Sequence, residues 1–191
     1  MNPHPKYTEI LQGILRILKH GVTPWSGVVY RYASSKYSSD VKILSGIGAY
    51  RAGGRWNPPN TFHAVYCASS PGLAHAEYLS TYRIAGIPLS RSHPVTGKAL
   101  EVNGATALDL RDTGILSQLS LSLRQLKEDR WKVAIDEGRE SLCQAVGRAA
   151  FTSGVEILLT PSILKPHSED FNVVLIIENA QTPSEKCRVL S

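Results

Sequence analysis

Residues 64–77 read Ala-Val-Tyr-Cys-Ala-Ser-Ser-Pro-Gly-Leu-Ala-His-Ala-Glu. Ala64 to Ala68 reads as a short strand. Ser70 is a helix cap by type, and Pro71 suits a first helical position, where its missing N–H is not needed. The helix is predicted to reach about Ile84 and to stop near Gly86. Glu77 falls in its second turn. An exposed helical glutamate often has a cation three or four residues along. Here those positions are Ser80 and Thr81, and the equivalent preceding ones are Leu73 and Ala74. Glu77 therefore has no local ion-pair partner and sits beside small apolar neighbours. That suits a site carboxylate, and a surface glutamate fits the same pattern.

Towards the N-terminus, Gly27 to Ala33 reads as a strand. Tyr7 to His20 reads as an amphipathic helix, with Ile10, Leu11, Ile14, Leu15 and Leu18 at helical spacing and Gly21 as a stop. Residues 34–62 are rich in Ser, Gly, Pro and Asn and read mostly as loop. Towards the C-terminus, Lys98 to Leu110 holds two strand-like runs around Asn103-Gly104, a hairpin turn signal. Gly86 to Lys98 reads as extra loop. Leu116 to Glu128 and Arg139 to Phe151 read as helices, the second stopping near Gly154. Val155 to Leu159 and Asn172 to Glu178 are apolar runs of strand length and are expected to be central. The mixture is α+β, without regular β-α-β alternation. The division expected is a helix over 1–21, one domain over 22–179 and a tail over 180–191.

Composition excludes several classes. The 191 residues are 42% hydrophobic and 19% charged, ordinary for one globular domain that needs no staples. Cys67, Cys143 and Cys187 form no C-x-x-C pair, and the six histidines form no H-x-x-x-H pair, so no metal site is expected. There is no phosphate loop and no G-x-S-x-G elbow. Gly46-Ile47-Gly48-Ala49-Tyr50-Arg51 has an arginine where a dinucleotide fingerprint needs its third glycine. The apolar stretch Ile10 to Leu18 is interrupted and far short of the about 20 residues that span a bilayer. No signal-peptide pattern is visible, so a cytoplasmic protein without membrane attachment is expected. Residues 1–60 hold eight Lys or Arg against two acids, Glu9 and Asp40, within a net charge of +5 for the chain. A basic segment suits a phosphate-bearing partner, either a nucleotide or a nucleic acid.

Two further strings stand out beside Tyr66–Glu77. Tyr30-Arg31-Tyr32 places an arginine inside a strand, where burial is costly unless it meets an anion; a solvent-facing side chain is the plain alternative. Gly53-Gly54-Arg55-Trp56-Asn57-Pro58-Pro59 combines glycines that let backbone approach a ligand with an arginine that can fork onto phosphate. A tight turn over a packed tryptophan is the alternative there.

Taken in order, these strings resemble the RES family, named for its arginine, glutamate and serine. The resemblance runs from about Val28 to Glu178. It includes Ala145-Val-Gly-Arg-Ala-Ala, Val155-Glu-Ile-Leu-Leu-Thr-Pro-Ser162 and Asn172-Val-Val-Leu. It implies a fold like the diphtheria-type ADP-ribosyltransferases: a split β-sheet core with surrounding helices. It implies an enzyme that cleaves the nicotinamide–ribose bond of NAD⁺, by phosphorolysis or hydrolysis, with inorganic phosphate as co-substrate and no bound cofactor. It further implies the toxin of a toxin–antitoxin pair, covered by an Xre-type helix-turn-helix antitoxin. By position, Glu77, Arg31 and Ser162 match the catalytic residues. Arg55, Tyr32, Tyr66 and Asn172 match the substrate-binding ones, and Trp56 is grouped with them. Ser153 is a rival for the serine. Family members often dimerise, and the apolar face of the 7–20 helix suits a dimer contact or a cap on the core. The alternatives in function are transfer of ADP-ribose to a protein and a non-catalytic nucleic-acid-binding module. The latter rests on the basic first sixty residues interleaved with Trp25, Tyr30, Tyr32, Tyr37, Tyr50 and Trp56.

Overall fold

A computed structural model describes residues 1–84, 86, 88, 94–164, 169–181 and 186–190. Seven strands form one sheet: β1 (Trp25–Ser34), β2 (Ala64–Ala68), β3 (Val95–Ala105), β4 (Ala107–Asp109), β5 (Ile157–Pro161), β6 (Phe171–Ile176) and β7 (Cys187–Val189). Their order is β4-β5-β6-β2-β1-β3-β7. β5 and β6 lie inside the sheet, as their unbroken apolar runs predict, because both faces of an interior strand are covered.

The sheet is split at its middle. β1 pairs with β3 along its whole length, and β2 pairs with β6 along its whole length. β1 and β2 meet at one pair, Tyr30 with Ala68. Two ladders thus diverge from a single joint. This is the α+β split sheet with surrounding helices that the RES resemblance implies.

Strand alternation sorts the core into layers. Ala64, Leu158, Val174 and Ile176 face one side, where α1 (Tyr7–Lys19) and α8 (Leu142–Thr152) pack with Phe62. Val29, Val65, Cys67, Leu100, Leu159 and Val173 face the other, closed by Ile43 and Leu44 at the end of α2 (Asp40–Ile43). A smaller layer of Ala68, Leu73 and Ala74, with Tyr30 and Tyr32 against it, seats α4 (Pro71–Ile84) on β1 and β2. Ser70 Oγ accepts from Leu73 N at 3.2 Å, the cap its type predicts.

The apolar face of α1 is occupied by its own molecule: Ile10, Gly13, Ile14 and Ile17 are buried. The helix therefore caps the core.

Residues 34–62 are loop over just more than half their length, as expected, and also hold a turn of 3₁₀ helix (Ser35–Tyr37), α2 and α3 (Ile47–Ala52). Three readings differ. Asn103-Gly104 makes no hairpin. It lies within β3, opposite the single residue Ser26, where the β1–β3 register slips between Trp25 and Gly27. Gly104 has φ +60° and donates its N–H to Ser26 Oγ at 2.8 Å. The left-handed glycine serves a bulge there, and β4 goes on to pair in parallel with β5. The Leu116–Glu128 helix is two, α5 (Thr113–Gln118) and α6 (Leu123–Glu128), broken where Ser120 takes φ +55°. A further short helix, α7 (Trp131–Asp136), precedes α8. Lastly, 180–191 is not a tail throughout, because β7 extends the sheet on β3 with Cys187 buried. A short helix α9 (Ile177–Ala180) leads out of β6. Of the extra loop expected over Gly86 to Lys98, residues 87 and 89–93 lie outside the described residues, and β3 already begins at Val95.

Candidate active site

Glu77 projects from α4 towards the start of β6. Asn172 Nδ2 donates to Glu77 Oε1 at 2.7 Å. Asn172 is fixed by pairing with Ala68 on one side and Thr160 on the other. Since a carboxylate offers only acceptors, the amide must turn its nitrogen to Glu77. Its Oδ1 is left buried and unpartnered. Burial raises the Glu77 carboxyl above its usual value, and the Asn172 bond and the field of Arg55 oppose that rise in part. The glutamate without a sequence neighbour has found its partners across the fold.

Arg55 stands on the loop after α3, and Tyr66 organises that loop. The Tyr66 hydroxyl accepts from Trp56 N at 3.0 Å and donates to Asn57 Oδ1 at 2.8 Å. Asn57, wholly buried, passes its Nδ2 to Ala49 O at 2.8 Å. Gln144 of α8, also wholly buried, donates from Nε2 to Gly54 O at 3.0 Å. Gly54 lies so close to the Tyr66 hydroxyl that a Cβ would collide with it. Paired glycines here serve close packing as well as chain reversal. Trp56 is turned away from the site: its ring is 4% exposed and packed in the main core. It belongs to the substrate-binding group by sequence position, but it supports the loop from behind, because its own burial is what anchors the turn.

The Tyr66 clamp gives a stability prediction. Tyr66→Phe leaves the Trp56 N–H and the Asn57 Oδ1 without their partner inside the protein. It is expected to lose about 2–3 kcal/mol in denaturant unfolding, since each unsatisfied buried group costs on that order. An unchanged midpoint would remove the clamp from the account.

Arg31 lies between Val29 and Ala33, which face the second core layer. Its side chain thus starts on the opposite side of the sheet from Tyr30, Tyr32 and α4. It then fills the split. Where β1 and β2 part beyond Tyr30, Arg31 Nη1 crosses to donate to Tyr66 O at 2.8 Å. Its Nε is buried and unpartnered, and burial pulls its guanidinium below the usual value. Among the described residues no carboxylate pairs with it. A partly buried, always-charged cation with one neutral acceptor favours an anion. Of the two arginines, Arg55 shares the field of Glu77, and Arg31 is tied to the backbone of β2.

Tyr32 lies against His75 at 5.0 Å between ring centroids, over Gly97, its partner on β3. A Cβ at 97 would strike the Tyr32 ring. Ser162 follows β5, is 3% exposed, and its Oγ accepts from Leu164 N at 3.2 Å. It stands just past Thr160, the residue that pairs with Asn172. Ser153 sits at the other end of β5, capping α8, with its Oγ donating to Ala149 O at 2.8 Å. Ser162 is therefore the serine near Asn172.

Asn57 and Gly147 fall inside the quoted strings without a role of their own, and Gln144 lies outside them. One signal was present: Ser141-x-x-Gln144 is a capping box, and both of its bonds form. It starts α8 at Leu142, after Arg139. Nothing local announces that Gln144 also holds Gly54.

Among the described residues no cluster of three or more His, Cys, Asp or Glu suits a metal ion, and no helix is long and apolar enough to cross a membrane.

A family model described as the RES domain matches residues 28–189. The NAD(+) phosphorylase MbcT of Mycobacterium tuberculosis is 30% identical over 151 residues, covering 78% of this chain and 74% of that protein. MbcT of Mycobacterium bovis matches to the same extent. Among solved structures, the M. tuberculosis MbcT-MbcA toxin-antitoxin complex is similar with a TM-score of 0.74 and 26% identity, over 96% of this chain and 90% of that chain. The shared architecture is the α+β, ADP-ribosyltransferase-like split sheet.

Proposed function

The chain is a member of the RES domain family, and from that premise we propose that it is a toxin that cleaves NAD⁺ at the nicotinamide–ribose bond, with inorganic phosphate as acceptor. The observation that carries this reading is the Glu77 carboxylate, largely removed from water, held by Asn172 and facing the field of Arg55. Nicotinamide in NAD⁺ is already cationic and departs neutral, so no acid need protonate it. One carboxylate then suffices, where ordinary glycoside hydrolysis uses two. As the ribose C1″–nitrogen bond breaks, its electron pair leaves with nicotinamide. Positive charge spreads over C1″ and the ring oxygen, and Glu77 stabilises it. A phosphate oxygen completes the bond to C1″, giving ADP-ribose 1″-phosphate.

Arg31 and Arg55 hold the pyrophosphate, meeting it from the two sides of the split. Tyr32 and Tyr66 bound the nicotinamide end, with Ser162 beside Asn172. The free Asn172 Oδ1 accepts from a substrate hydroxyl. Trp56 contributes by seating the Arg55 loop. As partner we propose an Xre-type helix-turn-helix antitoxin that covers this site in the cytoplasm. A homodimer is part of the proposal, by a surface other than the apolar face of α1.

The nucleic-acid reading weakens at the rings, of which Tyr37 alone is exposed. Trp56 is in the core, Tyr30 and Tyr32 lie under α4, and Tyr50 is stacked on His63 at 4.4 Å. A base-stacking surface needs such rings exposed.

Proton and phosphorus NMR of the protein with NAD⁺, with and without inorganic phosphate, tests the proposal. Free nicotinamide that forms faster with phosphate, together with a new sugar phosphate, is expected. Equal rates would replace phosphorolysis by hydrolysis. No cleavage by folded protein would overturn the reading and turn attention to ADP-ribose transfer.

A further inference from the structure

The Arg55 guanidinium is held from outside its own loop. Its Nη1 donates to Leu126 O at 2.9 Å and meets Asp129 O at 3.4 Å. Leu126 lies in the last turn of α6, where carbonyls lack helical partners and the helix dipole is negative. Asp129 follows directly. Its carboxylate Oδ2 accepts from Ser141 Oγ at 2.7 Å and from Cys143 N at 2.9 Å. Ser141 is the N-cap of α8, and Cys143 N is one of that helix's free N–H groups. The carboxylate therefore sits at the positive end of an 11-residue helix, where such a charge is favoured. Cys143 Sγ adds a second tie, donating to Leu126 O at 3.4 Å. Both acceptors of Arg55 are thus bound to α8, the same helix whose Gln144 holds Gly54.

We infer that Asp129 is a positioning residue for Arg55: by pinning the end of α6 to the start of α8, it fixes the two carbonyls that hold the guanidinium. Asp129 itself makes no contact with substrate. The inference rests on the reading of Arg55 as a substrate-binding residue. Without the carboxylate, the carbonyls of 126 and 129 separate from α8, and Arg55 loses its fixed geometry while keeping its charge.

Steady-state kinetics of Asp129→Ala, Asp129→Asn, Arg55→Ala and the Asp129→Ala/Arg55→Ala double variant test this, with nicotinamide release from NAD⁺ as the readout and thermal unfolding alongside. Asp129→Ala is expected to raise KM for NAD⁺ about tenfold, of the order set by one hydrogen bond to a charged group, with a smaller change in kcat. Asp129→Asn keeps an acceptor oxygen for the α8 N-terminus and is expected to restore most of the loss. The double variant is expected to be no worse than Arg55→Ala alone. If Asp129→Ala does not fold, Ser141→Ala, which removes one of the carboxylate's two partners, replaces it with a smaller rise in KM. An unchanged KM in the Asp129 variants while Arg55→Ala raises it, or an additive double variant, overturns the positioning role and leaves Arg55 as substrate-binding. An unchanged KM in Arg55→Ala overturns both.

Discussion

Glu77→Gln is expected to slow NAD⁺ cleavage by about 10²–10³, the usual loss when one preorganised charge-stabilising group is removed, while the fold survives. Glutamine is nearly isosteric, and its Oε1 can still accept from Asn172 Nδ2. The geometry therefore persists and only the charge disappears. Stability moves the other way from activity. The Glu77 carboxyl is raised by burial above the ordinary 4.5. Between that value and the raised one, the native protein binds more protons than the unfolded chain, so this group's contribution falls as pH rises through the window. Above it, Glu77 costs stability, and Glu77→Gln is expected to unfold at the same or higher temperature than the parent at neutral pH. The same raised value places the acid limb of kcat/KM above the ordinary glutamate range, because the ionised carboxylate is the active form. That limb is expected to vanish from the residual activity of Glu77→Gln. Undiminished turnover by folded Glu77→Gln protein would remove the carboxylate from the chemistry.

The sequence already isolated Glu77, because its lack of a helical ion-pair partner is a local property. It did not say that Asn172, 95 residues away, would meet it; that contact depends on how β6 pairs with β2. The same division holds elsewhere. α1, α4, β1, β2 and the end of α8 were legible because their periodicity, caps and stops are local. The bulge at Asn103-Gly104 was not, because a left-handed glycine is required equally by a hairpin turn and by a bulge. Which of the two it serves is decided by the register with β1. The split in the sheet was reached by resemblance alone. No residue pattern shows that β1 and β2 touch at one pair, yet that joint opens the gap across which Arg31 reaches Tyr66 O.

Gly147→Ala is expected to be the most damaging small substitution outside the reacting groups. In the middle of a helix, Gly→Ala ordinarily stabilises, by up to about 1 kcal/mol. At 147 the sign reverses. An added Cβ would overlap the Trp56 carbonyl oxygen, with the Trp56 carbonyl carbon at 2.7 Å and its Cα at 3.3 Å. These are backbone atoms, and a rotamer change cannot move them. Their segment is held by Tyr66, Asn57 and Gln144, so α8 and the Arg55 loop must move apart as bodies. Overpacking of a tight core commonly costs about 1–3 kcal/mol, occasionally more. With rigid partners on both sides we expect about 3 kcal/mol or more, or about 10 °C in Tm for a chain of this length. Separation also carries Arg55 away from Glu77, so NAD⁺ cleavage should fall even in the fraction that remains folded. Gly48 supplies the control. It lies in α3, exposed, with nothing within 4 Å of an added Cβ. Gly48→Ala should therefore follow helix propensity and be neutral or slightly stabilising. Equal Tm values for the two variants would mean that α8 does not press on the arginine loop, and the close approach at Gly147 would lose its part in holding the site.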